Sequence, residues 1–77
     1  MMNEKELFNT LYNKYNKLFL NKEEICKELN ISQATLNRRL KAQEALPAYE
    51  KDGGKYLFSI MGLAQYTLAI NALNSHF

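Results

Sequence analysis

The chain has 77 residues and a mass of 9.0 kDa, which leaves room for one hydrophobic core and excludes two domains. Hydrophobic residues make up 47% and charged residues 23%, a composition that folds and that excludes a disordered tail. The lone cysteine, Cys26, cannot form an internal disulfide, and with the single histidine, His76, it cannot supply four zinc ligands. The net charge of +2 is too small to indicate nucleic acid or an anionic membrane by itself.

Charge is spread unevenly along the sequence. The first charged side chain is Glu4 and the last is Lys55, so the segment from Tyr56 to Phe77 has none apart from His76. Polar residues within that segment make it a poor match to the roughly 20 apolar residues that span a bilayer, so no membrane span is predicted. The N-terminal residues form no continuous hydrophobic run of the kind found in secretion signals, which predicts a cytoplasmic location.

The N-terminal segment, residues 1–19, has the periodicity of an amphipathic helix. Leu7, Leu11, Tyr15 and Leu18 are spaced four, four and three apart, which predicts a helix from residue 3 to about residue 19. Three more aromatic residues widen the stripe: Phe8, Tyr12 and Phe19. We expect the aromatic residues to be core, because they share a face with leucine, and stacking on single-stranded nucleic acid is the less favoured alternative.

A second, short helix of about eight residues is predicted after Asn21. This asparagine is a good N-cap, and the acids Glu23 and Glu24 after it favour a helix start, which explains them better than a catalytic carboxylate pair. Cys26 lies on the inner face and is expected to act as a small hydrophobe. Asn30 tolerates the left-handed conformation of a tight helix exit.

A third helix is predicted from Gln33 to about Gln43, with Ser32 as its N-cap. Its outer face is polar and basic. No acid lies between Glu28 and Glu44, which makes this interval the most one-sidedly basic stretch of the chain.

The rest of the chain predicts a hairpin and a final helix. Pro47 ends the helical region, and two short strands, 49–51 and 55–58, flank the turn Asp52-Gly53-Gly54. Ser59 can cap a helix over residues 59–77 that is apolar around most of its circumference.

The run LNKEEICKELNISQATLNR, residues 20–38, resembles the opening of excisionase and MerR-like winged helix-turn-helix domains. The resemblance continues through a Leu-Pro pair, an aromatic and an apolar residue of the wing, and a closing helix: Leu46, Pro47, Tyr56, Phe58, Leu63 and Tyr66. The resemblance covers about residues 20–67 and implies a fold that is mainly α with a small β-hairpin wing, within the single domain, residues 1–77, that the length of the chain predicts. Residues 20–43 would be the helix-turn-helix and residues 47–58 the wing, between an extra N-terminal amphipathic helix and the apolar C-terminal helix.

Three positions depart from the family pattern. Asn30 replaces the usual turn glycine, Arg39 stands where relatives have an apolar residue, and Lys41–Ala45 is about one residue longer than the typical stretch before Leu-Pro. These departures leave open whether Arg39 and Lys41 face DNA, the wing or water.

The resemblance implies sequence-specific binding of double-stranded DNA, by a small transcriptional regulator or an excisionase-type recombination directionality factor. Such DNA binding needs no catalysis, cofactor, metal or small-molecule substrate. By resemblance, the DNA-binding residues on the third helix are Gln33, Ala34, Thr35, Asn37, Arg38 and Lys41, and the phosphate-binding lysines are Lys22, Lys51 and Lys55. Arg38 suits guanine or a phosphate, whereas the amides of Asn37 and Gln33 match adenine.

We expect the apolar surface of the C-terminal helix to pack against either the N-terminal helix or a second subunit. We predict a homodimer, because two-fold DNA sites multiply the affinity of small modules. Its predicted interface is Leu63, Tyr66, Ile70, Leu73 and Phe77. The alternative function is a protein-interaction adaptor that keeps the helix-turn-helix scaffold and binds a partner through its first and fourth helices.

Overall fold

The structure is a computed structural model that describes the backbone of residues 3–74 and the side chains of residues 3–71. Over this range it has four helices and three strands. In chain order they are α1 (Glu4–Tyr15), β1 (Phe19–Leu20), α2 (Lys22–Leu29), α3 (Gln33–Ala42), β2 (Tyr49–Asp52), β3 (Lys55–Ser59) and α4 (Ile60–Asn74). The predicted mainly helical domain with a small β-hairpin is confirmed.

The first helix is shorter than predicted, and a strand follows it. Asn16 adopts the left-handed conformation, with φ of 56°, and ends α1 four residues earlier than the periodicity suggests. Phe19 and Leu20 are instead extended and pair with Ser59 and Phe58 of β3. Leu20 is fully buried there. Leu20 is buried by pairing with β3, a strand that is distant in the sequence. This burial outweighs the helical spacing of Leu18 and its neighbours.

The three strands form one antiparallel sheet in the order β1-β3-β2. The hairpin of β2 and β3 lies where the sequence predicts it, each strand one residue longer. Asp52 pairs with Lys55 across a two-residue turn, in which Gly53 has a φ of 62° that other residues rarely adopt. The turn glycines are therefore the local signal that made the hairpin predictable.

The core lies between the sheet and the four helices, and α1 packs against α4. Its largest fully buried side chains are Leu20, Ile25, Leu36, Pro47, Phe58, Ile60 and Leu63. Leu63 is only 1% exposed within the single chain, so the prediction that it lies at a dimer interface needs correction. Tyr66 is half-buried and Ile70 is 37% exposed, whereas Leu73 and Phe77 lie outside the described side chains.

The aromatic residues near α1 are only partly in the core. Phe8 and Tyr15 are half-buried, as expected, but Tyr12 is 39% and Phe19 is 45% exposed. The expectation that Tyr12 and Phe19 are core is therefore wrong. Tyr12 stacks on Phe8 with ring centroids 6.1 Å apart, and Phe19 is a strand residue whose neighbour Leu20 takes the inward direction.

Candidate nucleic-acid interface

Local interactions fix the position of α3. Asn30 ends α2 in the left-handed conformation, with φ of 57°, and the N–H of Ile31 donates to the carbonyl oxygen of Cys26 at 3.0 Å. Ser32 begins α3, because its Oγ accepts a hydrogen bond from the N–H of Thr35 at 3.1 Å. Leu36, on the inner side, is fully buried. The inner side of α3 is thus held in the core, and its outer side lies in solvent.

The outer side of α3 carries most of the residues predicted to read DNA. Its exposed side chains are Gln33, Ala34, Asn37, Arg38 and Lys41. Thr35 differs from the prediction: it is half-buried, and its Oγ1 accepts a hydrogen bond from the hydroxyl of Ser32 at 3.0 Å. Thr35 therefore belongs to the helix cap and not to the outer face.

The two faces of the hairpin differ in charge. Successive side chains of a strand alternate between faces, so Lys51 and its pairing partner Tyr56 share the face that also carries Phe58. Both acids of the hairpin, Glu50 and Asp52, lie on the opposite face. The face that continues toward α2 and α3 is therefore basic and aromatic.

A cluster of side chains joins α2, α3 and the hairpin. The Nζ of Lys22, at the start of α2, donates to the Oδ1 of Asn37 at 2.8 Å. The same Nζ lies 4.7 Å from the ring centroid of Tyr56, and the Nζ of Lys51 lies 5.6 Å from that centroid. Two lysines predicted to bind DNA thus approach one aromatic ring, and a third predicted residue, Asn37, bonds to one of them. Tyr56, which sequence reasoning noted only as an aromatic of the wing, is the residue that it missed.

We call the continuous patch made by the outer side of α3 and this cluster the α3–hairpin surface. It comprises Lys22, Gln33, Ala34, Asn37, Arg38, Lys41, Lys51 and Tyr56. Four of these eight residues are cationic and none is acidic, so the charge of the patch suits a polyanion.

The carboxylates of α2 are matched by lysines outside this surface. The pairs are Glu28 with Lys14 at 2.6 Å, Glu24 with Lys17 at 2.8 Å, and Glu23 with Lys27 at 3.9 Å. In contrast, Lys22, Lys41 and Lys51 form no ion pair with any described residue. Three of the four cations of the surface are therefore left without a carboxylate partner among the described residues, while the acids of α2 are paired.

Hydrogen bonds keep two of these acids ionised. Burial alone would raise the pKa of Glu28, but the ammonium of Lys14 and the hydroxyl of Tyr15, which both donate to it, hold that pKa below its usual value. Burial also opposes the charge of Glu24, and Lys17 with the N–H of Asn21 lowers its pKa. Burial and the bond to Glu28 raise the pKa of Tyr15, so its hydroxyl remains a donor at neutral pH.

Of the three basic residues at the end of α3, Arg38 and Lys41 lie on the outer side and Arg39 does not. Arg38 is exposed and lies 3.5 Å from the carboxylate of Glu44, a weak pair at the edge of the surface. Arg39 is half-buried and lines a cavity of about 250 Å³ beside α4, together with Tyr66. Lys41 is exposed one turn after Asn37. Lys41 therefore shares the outer side of α3, and Arg39 does not.

Lys55 is separated from Lys51, although both were predicted to bind phosphate. It lies on the face of the hairpin that carries Asp52. It also lines a groove of about 340 Å³ between the start of α2 and β3, to which Lys22 and Gly54 contribute. Lys55 is therefore placed to contact a ligand that passes the hairpin tip, but not the outer side of α3.

Cys26 is buried, and burial raises the pKa of its thiol, so it is a packed side chain as expected. Among the described residues, no group of three His, Cys, Asp or Glu side chains is arranged to hold a metal ion. None of the helices described has the length and apolar character needed to cross a membrane.

Comparison of the chain with protein-family models, with curated proteins and with solved structures gives no match. Function is therefore inferred from the geometry and the charge of the α3–hairpin surface.

Proposed function

We propose that this protein binds double-stranded DNA through the α3–hairpin surface. The observation that carries the proposal is the separation of charge: the acids of α2 are paired with lysines elsewhere, while the lysines of the surface have no carboxylate partner among the described residues. Uncompensated cations aligned on one face are what binding to a phosphate backbone requires, because each neutralised phosphate releases a counterion.

The dimensions of α3 suit the major groove. A helix with its side chains is about 10–12 Å across, and the major groove of B-DNA is about 12 Å wide. With α3 in the groove, Gln33, Ala34 and Asn37 would meet base edges. Lys22 and Lys51, on the neighbouring elements, would reach the flanking phosphates. In this arrangement the hairpin acts as a wing beside the recognition helix.

The order of elements supports the finer assignment of a winged helix-turn-helix. Two short helices joined by three residues precede a β-hairpin, and a strand before them completes the sheet. In this proposal the protein acts without catalysis, by occupying a DNA site as a transcriptional regulator or as a factor that directs recombination. The packing of α1 against α4 reduces the apolar area left for the alternative adaptor role.

Fluorescence anisotropy of a labelled duplex pool, measured between 50 and 200 mM salt, tests the proposal. With three or four phosphate contacts, the logarithm of the binding constant should fall against the logarithm of salt with a slope of about −3. Lys41→Ala should reduce the magnitude of the slope by about 1. Lys5→Ala is the matched control, because Lys5 is also exposed and in no ion pair among the described residues, but lies on α1.

Three results would overturn the proposal. They are an absence of binding at low salt, binding that is indifferent to salt, and equal effects of Lys41→Ala and Lys5→Ala.

A further inference from the structure

The bond between Lys22 and Asn37 fixes which end of the Asn37 amide meets DNA. An ammonium group can only donate hydrogen bonds, so the atom of Asn37 that lies 2.8 Å from Lys22 Nζ must be the carbonyl oxygen. The amide nitrogen, with its two hydrogens, then points away from Lys22. Asn37 is exposed in the middle of the outer side of α3, so this nitrogen is what it presents to solvent.

Lys22 is held where it can keep this orientation. It is half-buried, and its Nζ lies 4.7 Å from the ring centroid of Tyr56. Among the described residues it has no carboxylate partner, and Asn37 is its hydrogen-bond acceptor. Lys51 approaches the same ring but forms no bond to Asn37. The amide of Asn37 is therefore oriented by one lysine and not by the other.

This orientation changes the base that Asn37 is suited to read. An asparagine that recognises adenine uses its oxygen to accept from the N6 amino group and its nitrogen to donate to N7. The oxygen already accepts from Lys22, so the group of Asn37 left without a partner among the described residues is the amide nitrogen, which only donates. Guanine presents two adjacent acceptors, O6 and N7, on its major-groove edge.

We infer that Lys22 is a positioning residue that makes Asn37 select guanine instead of adenine. The inference rests on the proposed function, since it assumes that α3 enters the major groove. It revises the match to adenine that the side-chain chemistry of Asn37 alone suggests.

Selection of duplexes from a random pool tests the inference with four proteins: the natural chain, Asn37→Ala, Lys22→Met and Lys51→Met. Asn37→Ala identifies the position in the selected site whose base preference depends on Asn37. The natural chain should select guanine there. Lys22→Met keeps an apolar chain over Tyr56 but removes the donor, so the preference at that position should move toward adenine by about tenfold, with other positions unchanged.

Lys51→Met is the matched control, because it removes the other lysine beside Tyr56. It should weaken binding without changing the base at the position read by Asn37. If Lys22→Met lowers the melting temperature of the protein, Lys22→Leu is used in the selection instead.

The inference is overturned, with DNA binding intact, if the natural chain selects adenine at that position or if Lys22→Met leaves the guanine preference unchanged. If the natural chain selects no sequence and binds no duplex, the proposed function itself fails. The two failures are thus distinguishable.

Discussion

At the scale of single residues, Glu28 shows how carboxylates are kept away from the candidate interface. It is one of the few acids with little exposure, at 16%, and it receives hydrogen bonds from Lys14 and Tyr15 of α1. Because both donors come from α1, the bonds tie α2 to that helix. A carboxylate that satisfies a lysine and a tyrosine on this side cannot neutralise the lysines of the α3–hairpin surface.

The lowered pKa of Glu28 predicts a loss of stability in acid. A carboxylate whose pKa is lower in the folded than in the unfolded chain stabilises the fold fully above the unfolded value, and this contribution is lost as the pH falls through the folded value. The pKa of Glu24 is lowered as well, so this residue contributes in the same direction. We therefore expect the free energy of unfolding in urea to decrease between about pH 5 and pH 2.

Glu28→Gln tests the assignment of this pH dependence. The substitution should cost about 1–2 kcal/mol at pH 7, since it weakens hydrogen bonds to a charged group, and it should flatten the decline in acid. Glu23→Gln is the matched control: Glu23 is 68% exposed and its pair with Lys27 is long, so its removal should change stability by less than about 0.5 kcal/mol. An unaltered acid decline in Glu28→Gln would contradict the role given to this carboxylate.

At the scale of elements, the sequence was most informative where a local signal ends or bends the chain. Asn21, Ser32 and the turn glycines located α2, α3 and the hairpin to within a residue or two. The sequence does not predict strand β1, because Phe19 and Leu20 continue an apolar stripe and only their pairing with β3, some 40 residues later, makes them extended. Contacts between distant segments leave no periodicity to detect.

The first turn of α4 makes an element-scale prediction, because Gly62 lies under the segment that leads into β2. A Cβ placed on Gly62 would lie 2.9 Å from the Cβ of Ala48 and 3.1 Å from its backbone nitrogen. Glycine to alanine in an open helix stabilises by about 1 kcal/mol, but here we expect Gly62→Ala to destabilise by about 1–3 kcal/mol. Thermal and urea unfolding measure the difference.

Gly54→Ala serves as the control for Gly62→Ala. A Cβ on Gly54 meets nothing within 4 Å, so its effect should stay within about 0.5 kcal/mol. A stabilised Gly62→Ala variant would mean that α4 and the β2 segment are further apart than described.

At the scale of the whole molecule, the candidate interface was only partly predictable. Helical spacing gives the outer side of α3, and it correctly includes Asn37 and Lys41. It could not show that Lys22 bonds to Asn37, that Tyr56 joins them, or that Arg39 turns toward α4, because each contact depends on how separate elements pack.

The homodimer stays a prediction, and the structure narrows the surface it would use. Since Leu63 belongs to the core of the single chain, Tyr66 and Ile70 remain as the described candidates on α4. Light scattering on a sizing column at tens of micromolar should give a mass near twice the 9.0 kDa of one chain. A mass near 9.0 kDa would count against the dimer without affecting the proposal that the α3–hairpin surface binds DNA.

In the proposed complex, DNA contacts the outer side of α3 and the hairpin. The most direct test is a titration of the ¹⁵N-labelled protein with a short duplex, followed by amide chemical shifts. We predict the largest changes in residues 33–41 and 49–57 and at Lys22, with little change in residues 4–15 of α1. No shift at low salt, or changes concentrated in α1 and α4, would contradict the account.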